Sequence, residues 1–122
     1  MRHKYLAYNY TSSIIKQICN YWFVVMRNLI EEQVEIYQVL SNPSRLLILR
    51  SLMENEKSVG ELAEQIGASL QNTSQHLRLM RDKGVLETRR EGQTIFYHFS
   101  ISQIGNRCKR LLTCFERHNQ TT

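Results

Sequence analysis

Residues 57–100 read KSVGELAEQIGASLQNTSQHLRLMRDKGVLETRREGQTIFYHFS, and the periodicity of this stretch decides the fold. Ser58 is placed to cap a helix, with Glu61 three residues on as the reciprocal partner of a capping box. Val59, Leu62, Ala63 and Ile66 then form one apolar stripe, and Gly67 ends the segment. Ser69 caps a second helix that runs to about Lys83, where Gly84 stops it. Leu70, Thr73, Leu77 and Met80 fall at spacings of three, four and three and are expected to face inward. Gln71, Asn72, Gln75 and Arg78 are thrown to the opposite side. Val85–Arg90 and Thr94–Phe99 alternate as strands around Arg90-Glu91-Gly92-Gln93, a hairpin turn in which Gly92 takes positive φ.

The flanks are helical. Leu29, Ile30, Gln33, Val34, Tyr37 and Leu40 recur three and four apart. Ser41-Asn42 caps the next start, and Pro43 occupies its first turn, where a missing N–H costs nothing. That helix, about Pro43 to Asn55, is expected to bury Leu46, Leu47, Leu49, Leu52 and Met53, with Ile48 partly so, and to leave Arg45 and Arg50 outside. A last helix, about Ser102 to Glu116, carries Ile104, Cys108, Leu111, Leu112 and Phe115. The expected fold is mostly α with a small β-wing, in the order α-α-α-α-β-β-α. Residues 26–118 form the main domain and residues 1–25 an extension. In the extension Ile14, Ile15, Ile18, Cys19 and Trp22 lie at helical spacing. Two readings stand for it: a helical arm that extends a dimer interface, or a flexible leader with Met26 as the start of the compact domain.

At 122 residues the chain has room for one domain with a real core. Its apolar fraction of 42% and charged fraction of 22% fit a globular protein rather than a disordered one. The net charge of +5 is uneven: residues 1–30 carry +4 with no acid, 31–68 carry −4, and 69–122 carry +5. A basic second half is the electrostatic footprint of nucleic-acid contact, although a merely solvated basic face has the same sign. Three cysteines, Cys19, Cys108 and Cys114, follow no repeating spacing and suit a reducing cytoplasm rather than a disulfide-stapled secreted module. The longest apolar run, Tyr21–Met26, is too short for a signal-peptide core or a membrane span, so the expected location is cytoplasmic with no membrane contact.

Two helices across a glycine turn, followed by a β-hairpin, make a winged helix-turn-helix, a shape that puts its second helix into the major groove of DNA. Carboxamides donate and accept together, so Gln71, Asn72 and Gln75 are able to pair with adenine edges. Ser69 and Ser74, with the free N–H groups of the helix start, suit phosphate oxygens, and Arg78 and Arg81 extend the contact to the flanking backbone. Arg89, Arg90 and Gln93 on the hairpin are expected at its tip, within reach of a minor groove or its phosphates. The alternative is a winged-helix module that docks proteins without touching DNA. It would more often expose apolar groups at these positions. No Gly-rich phosphate loop, nucleophile motif or paired carboxylates in a cleft point to an enzyme, and no cofactor or resident metal is expected.

The segments LSNPSRLLILRSL and SVGELAEQIGASLQNTSQHLRLMRDKGVLETRREGQTIFYHFS resemble the ArsR/SmtB family of winged-helix repressors over roughly residues 30–116. The resemblance implies a homodimer joined by its first and last helices, bound to an imperfect inverted repeat and released from it by a cytosolic effector. The family's effector sites are not carried over. Where arsenic- and cadmium-type members hold cysteines before the turn, this chain has Glu56-Lys57-Ser58-Val59-Gly60. Where zinc-type members place Asp, His, His and an acid on the last helix, it has Ile101, Gln103, Cys114 and Arg117. Where persulfide-sensing members have a cysteine after LLIL, it has Arg50.

Cys108 and Cys114 remain as a candidate thiol switch. They stand six residues apart, about 9 Å along a helix axis, beyond the roughly 7 Å that a disulfide spans. A bridge would therefore have to run between subunits or to Cys19. Cys114 and His118 share a helix face and are able to offer two ligands to a soft metal held with a partner subunit. Packing as small apolar side chains is the competing role for both cysteines. His76, beside the reading stripe, suits either a phosphate contact or a hydrogen bond within the domain.

Overall fold

The computed structural model describes the backbone of residues 2–120 and the side chains of residues 12–118. The elements run α1 (Arg2–Leu40), α2 (Pro43–Glu54), β1 (Lys57–Ser58), α3 (Val59–Ile66), α4 (Leu70–Asp82), β2 (Leu86–Glu91), β3 (Thr94–Phe99) and α5 (Gln103–Gln120). The chain divides into two compact units, one up to Val34 and one from Glu35 onward. The first is helix alone. The second holds the remaining helices and a three-stranded antiparallel sheet in the order β1-β3-β2.

Local chemistry sets the boundaries of these helices. Asn42 accepts from the Arg45 N–H at 3.2 Å and Pro43 opens α2. Around α3 the capping box is complete: Glu61 N–H donates to Ser58 Oγ at 3.3 Å, and Ser58 N–H to the Glu61 carboxylate at 3.0 Å. Both helix ends that meet glycine close with the same pair of bonds. Gly67 and Ala68 N–H groups donate to Glu64 and Ala63, and those of Gly84 and Val85 to Arg81 and Met80, the Schellman arrangement that positive φ allows. In the hairpin, Glu91 pairs with Thr94, so the loop is Gly92-Gln93 with positive φ only at Gly92, the pattern of a type II′ turn.

The core gathers Ile36, Val39, Ile48, Leu49, Leu52, Leu62, Leu77, Met80, Val85, Leu86, Tyr97, Cys108 and Leu112. Three expectations need correcting here. Leu47 is 51% exposed, because six near-consecutive apolar residues cannot all turn inward at 100° per residue, and Ile48, Leu49 and Leu52 take the inner face. Arg45 is not a solvated outer residue. Its guanidinium folds back to donate to the Val39 and Gln38 carbonyls, both at 2.8 Å, satisfying acceptors that the end of α1 leaves open. The third is β1, two residues pairing with Tyr97 and Phe96, too short for any alternation to announce. Lys57 within it is buried, and its ammonium donates to the Ser51 carbonyl and lies 3.5 Å from Glu54.

The join between sheet and α5 is close. Ser100 N–H donates to the Val85 carbonyl at 2.9 Å, and Ser102 Oγ accepts from Gly105 N–H at 3.2 Å, capping the helix. Gly105 is needed there: a Cβ would come within 2.9 Å of the Ser100 carbonyl carbon, backbone that has nowhere to move.

Candidate nucleic-acid interface

Helix α4 has two unlike sides. Thr73, Leu77 and Met80 are fully buried. Gln71, Asn72, Gln75, Arg78 and Arg81 are exposed and Ser74 is half-buried. The helix is held by its buried side, so the exposed side is presented on a fixed axis. Thr73 reinforces the start by donating its hydroxyl to the Ser69 carbonyl at 2.8 Å. Ser69 Oγ accepts from Asn72 N–H at 3.1 Å, which uses its oxygen as a cap and leaves its hydroxyl proton to donate. No acid stands in the first turn of α4. Its unpaired N–H groups therefore keep their positive end unneutralised.

Leu70 departs from the sequence expectation. It was assigned to the inner stripe, yet it is 61% exposed at the first turn of α4, beside the carboxamides. His76 is half-buried, and burial first, then the nearby Arg45 charge, holds its imidazole below the ordinary range, so it is neutral at pH 7.

The two wing arginines are not equivalent. Successive residues of a strand point to opposite faces. Arg89 lies opposite Phe96 and Arg90 opposite Ile95. Arg89 forks onto the Glu56 carboxylate, Nε lying 3.0 and 3.1 Å from its two oxygens, and also donates to Glu91 at 3.2 Å. Its guanidinium stacks 5.0 Å over the Phe96 ring. Hydrogen bonds to Glu56 and Glu91 raise the Arg89 pKa further, and the Arg89 bond holds the Glu56 carboxyl below the usual carboxylate range. Arg90, exposed, makes one bond to its own turn, Nε to the Gly92 carbonyl at 3.2 Å, and Gln93 is exposed in the loop. Glu56 was read only as part of a cysteine-free segment; its pairing spans 33 residues and leaves no local sequence trace.

The thiols are also separated by environment. Cys108 is fully buried in the core and burial pushes its thiol up to about 11, while Cys114 and Cys19 are exposed. Cys114 lines an open hollow of about 390 Å³ with Leu111, Phe115, Arg117 and His118. No group of three or more His, Cys, Asp or Glu side chains placed to hold a metal occurs among the described residues. No described helix is long and apolar enough to cross a membrane.

A caged helix-turn-helix with an exposed polar second helix and a hairpin wing defines the winged-helix class of transcriptional regulators. Residues 42–88 match the family model described as bacterial regulatory protein, arsR family. The chain is 38% identical over 84 residues to the biofilm growth-associated repressor of Xylella fastidiosa, covering 69% of this chain and 74% of that protein. It is 37% identical over 87 residues to the transcriptional activator HlyU of Vibrio cholerae, covering 71% and 81%. Among solved structures, the homodimeric winged helix-turn-helix DNA-binding domain of a possible ArsR-family regulator from Mycobacterium bovis superposes with a TM-score of 0.65. That match has 26% identity and covers 77% of this chain and 83% of the other. The chain belongs to the arsR family of bacterial regulatory proteins; it is a transcriptional regulator, and its relatives are not enzymes.

Proposed function

We propose that this regulator binds double-stranded DNA as a homodimer, with α4 of each protomer in a major groove and the wing over the adjacent backbone or minor groove. The observation that carries the reading is the division of α4: a fully buried Thr73–Leu77–Met80 side against an exposed Gln71–Asn72–Gln75 side. The carboxamides read bases, Leu70 offers an apolar contact for a thymine methyl, and Ser69, Ser74, Arg78 and Arg81 hold phosphates. On the wing, Arg90 and Gln93 make the outer contact. Arg89 acts mainly as the tie that holds the hairpin to Glu56, since its donors are already engaged.

Dimerisation through the first and last helices is supported by apolar groups left open in the second unit. Tyr37, Leu40, Leu46, Leu111 and Phe115 line a groove of about 360 Å³, and Phe115 is 61% exposed. Two-fold pairing of the α4 helices would make the target an inverted repeat. The relatives include both a repressor and an activator; repression relieved by an effector in the cytoplasm is our reading for this chain. A thiol-based signal would enter at Cys114, because thiolate is the reactive form and Cys108 is both buried and held protonated. Fluorescence anisotropy with DNA flanking the protein's own gene tests the proposal. Tighter binding to that DNA than to a scrambled duplex, with two protomers per site, is expected; equal affinity for both would refute it.

A further inference from the structure

The helix of the first unit carries an apolar seam. Ile15, Ile18, Trp22, Val25 and Leu29 follow one another at spacings of three, four, three and four, the alternation of a and d positions in a heptad. The helix exposes Ile15, Ile18, Trp22 and Leu29, with Trp22 61% accessible, and leaves Val25 half-buried. From Ile15 to Leu29 such a stripe runs about 21 Å along the helix axis. The positions flanking it, Ile14, Cys19, Tyr21, Met26 and Asn28, carry no charge at all. The next position at that spacing is Glu32, so the apolar seam ends at Leu29; Ile36 and Val39 beyond it belong to the core of the second unit.

We infer that this seam pairs with the same segment of a second copy of the chain, forming a short two-stranded coiled coil that extends the homodimer proposed above, on which the inference rests. An uncharged flank suits self-association, because pairing two copies of it brings no like charges together along the seam. It is also the wrong composition for a membrane surface. The described part of this unit carries only two cations, Lys16 and Arg27, and Arg27 is 3.2 Å from Glu31 in an ion pair. Interfacial helices carry Lys- and Arg-rich polar faces instead. The relative from Mycobacterium bovis is homodimeric, so a second copy is the partner at hand. Phe23 and Val24 lie on the outer side of such a pair and contribute nothing to the seam.

Trp22 is the only tryptophan, so its emission reports this seam in the unmodified protein. Sedimentation and Trp22 emission are followed together across protein dilution for the full chain and for Ile18→Glu, whose site is exposed and whose helicity is checked by circular dichroism. The expected result is emission that moves to shorter wavelength as dimer forms, and a dimer dissociation constant raised at least about tenfold by Ile18→Glu. A dimer with Trp22 emission still water-exposed, and an unchanged constant in Ile18→Glu, overturns the seam and leaves the homodimer itself standing. A chain that stays monomeric overturns both. A shift seen only on adding anionic phosphatidylserine vesicles also overturns the seam and assigns the face to a membrane.

Discussion

Helix α4 and the wing hairpin both face DNA in the proposed complex, yet they are built on opposite principles. On α4 the ordered groups are underneath: Thr73, Leu77 and Met80 are locked in the core, while Gln71, Asn72 and Gln75 stand exposed. On the wing the ordering lies on the surface itself, where Arg89 is held by Glu56, Glu91 and the Phe96 ring. A charge already paired must be unpaired before it neutralises a phosphate, and the exchange returns little net attraction. In the proposed DNA-binding mode, sequence discrimination therefore falls to α4, and the wing would supply a smaller, non-specific share through Arg90.

The largest effect expected from breaking this contrast lies on α4. Gln75→Ala should cost about 1–3 kcal/mol at one base pair of the operator. Binding to a panel of single-base operator variants checks it, and an equal loss against every sequence would mean that Gln75 touches no base edge. Next comes Arg90→Ala, which should weaken binding to all DNA alike and reduce the slope of log affinity against log salt by about 1. Glu56→Gln should act in the opposite sense. It releases Arg89 to phosphate, so affinity rises modestly and the salt slope steepens by a fraction of a charge; a slope that flattens would show that Arg89 already contacts DNA in the wild type.

The smallest effect concerns pH. The folded-state pKa of Glu56 is depressed by Arg89, so the pair's contribution to stability is present above the unfolded value of 4.5 and is lost as pH falls through the lowered folded value. Melting temperatures of wild type and Glu56→Gln should differ slightly at pH 7 and converge as pH falls through the lowered Glu56 range. A gap that persists at acid pH would mean that packing, not charge, links Glu56 to the wing.

These differences follow how far each determinant reaches along the chain. The capping box at Ser58 and Glu61, the Ser69 cap, the helix stops at Gly67 and Gly84 and the turn at Gly92 each depend on residues within five positions, and each is legible in the sequence. The winged fold and the exposed carboxamides of α4 follow from them. What escapes is set by tertiary partners. Arg45 caps a helix six residues upstream, Arg89 pairs with a carboxylate 33 residues away, and β1 exists only because β3 lies beside it. Leu47 turns outward because its helix has more apolar residues than one face can hold, and Leu70 because no element covers it; apolar spacing marks both residues but settles neither. Cys108 and Cys114 look alike in sequence, and only the core around Cys108 separates an inert thiol from an accessible one.

The claim that α4 discriminates while the wing only adheres is tested most directly by one salt series. Affinities of the wild type and of a Gln71→Ala, Gln75→Ala double variant are measured on operator and scrambled DNA from low to moderate salt. The double variant should close the gap between operator and scrambled DNA while both lines keep the wild-type slope. A gap that survives the double substitution, or a slope that collapses with it, would contradict the assignment of base reading to α4.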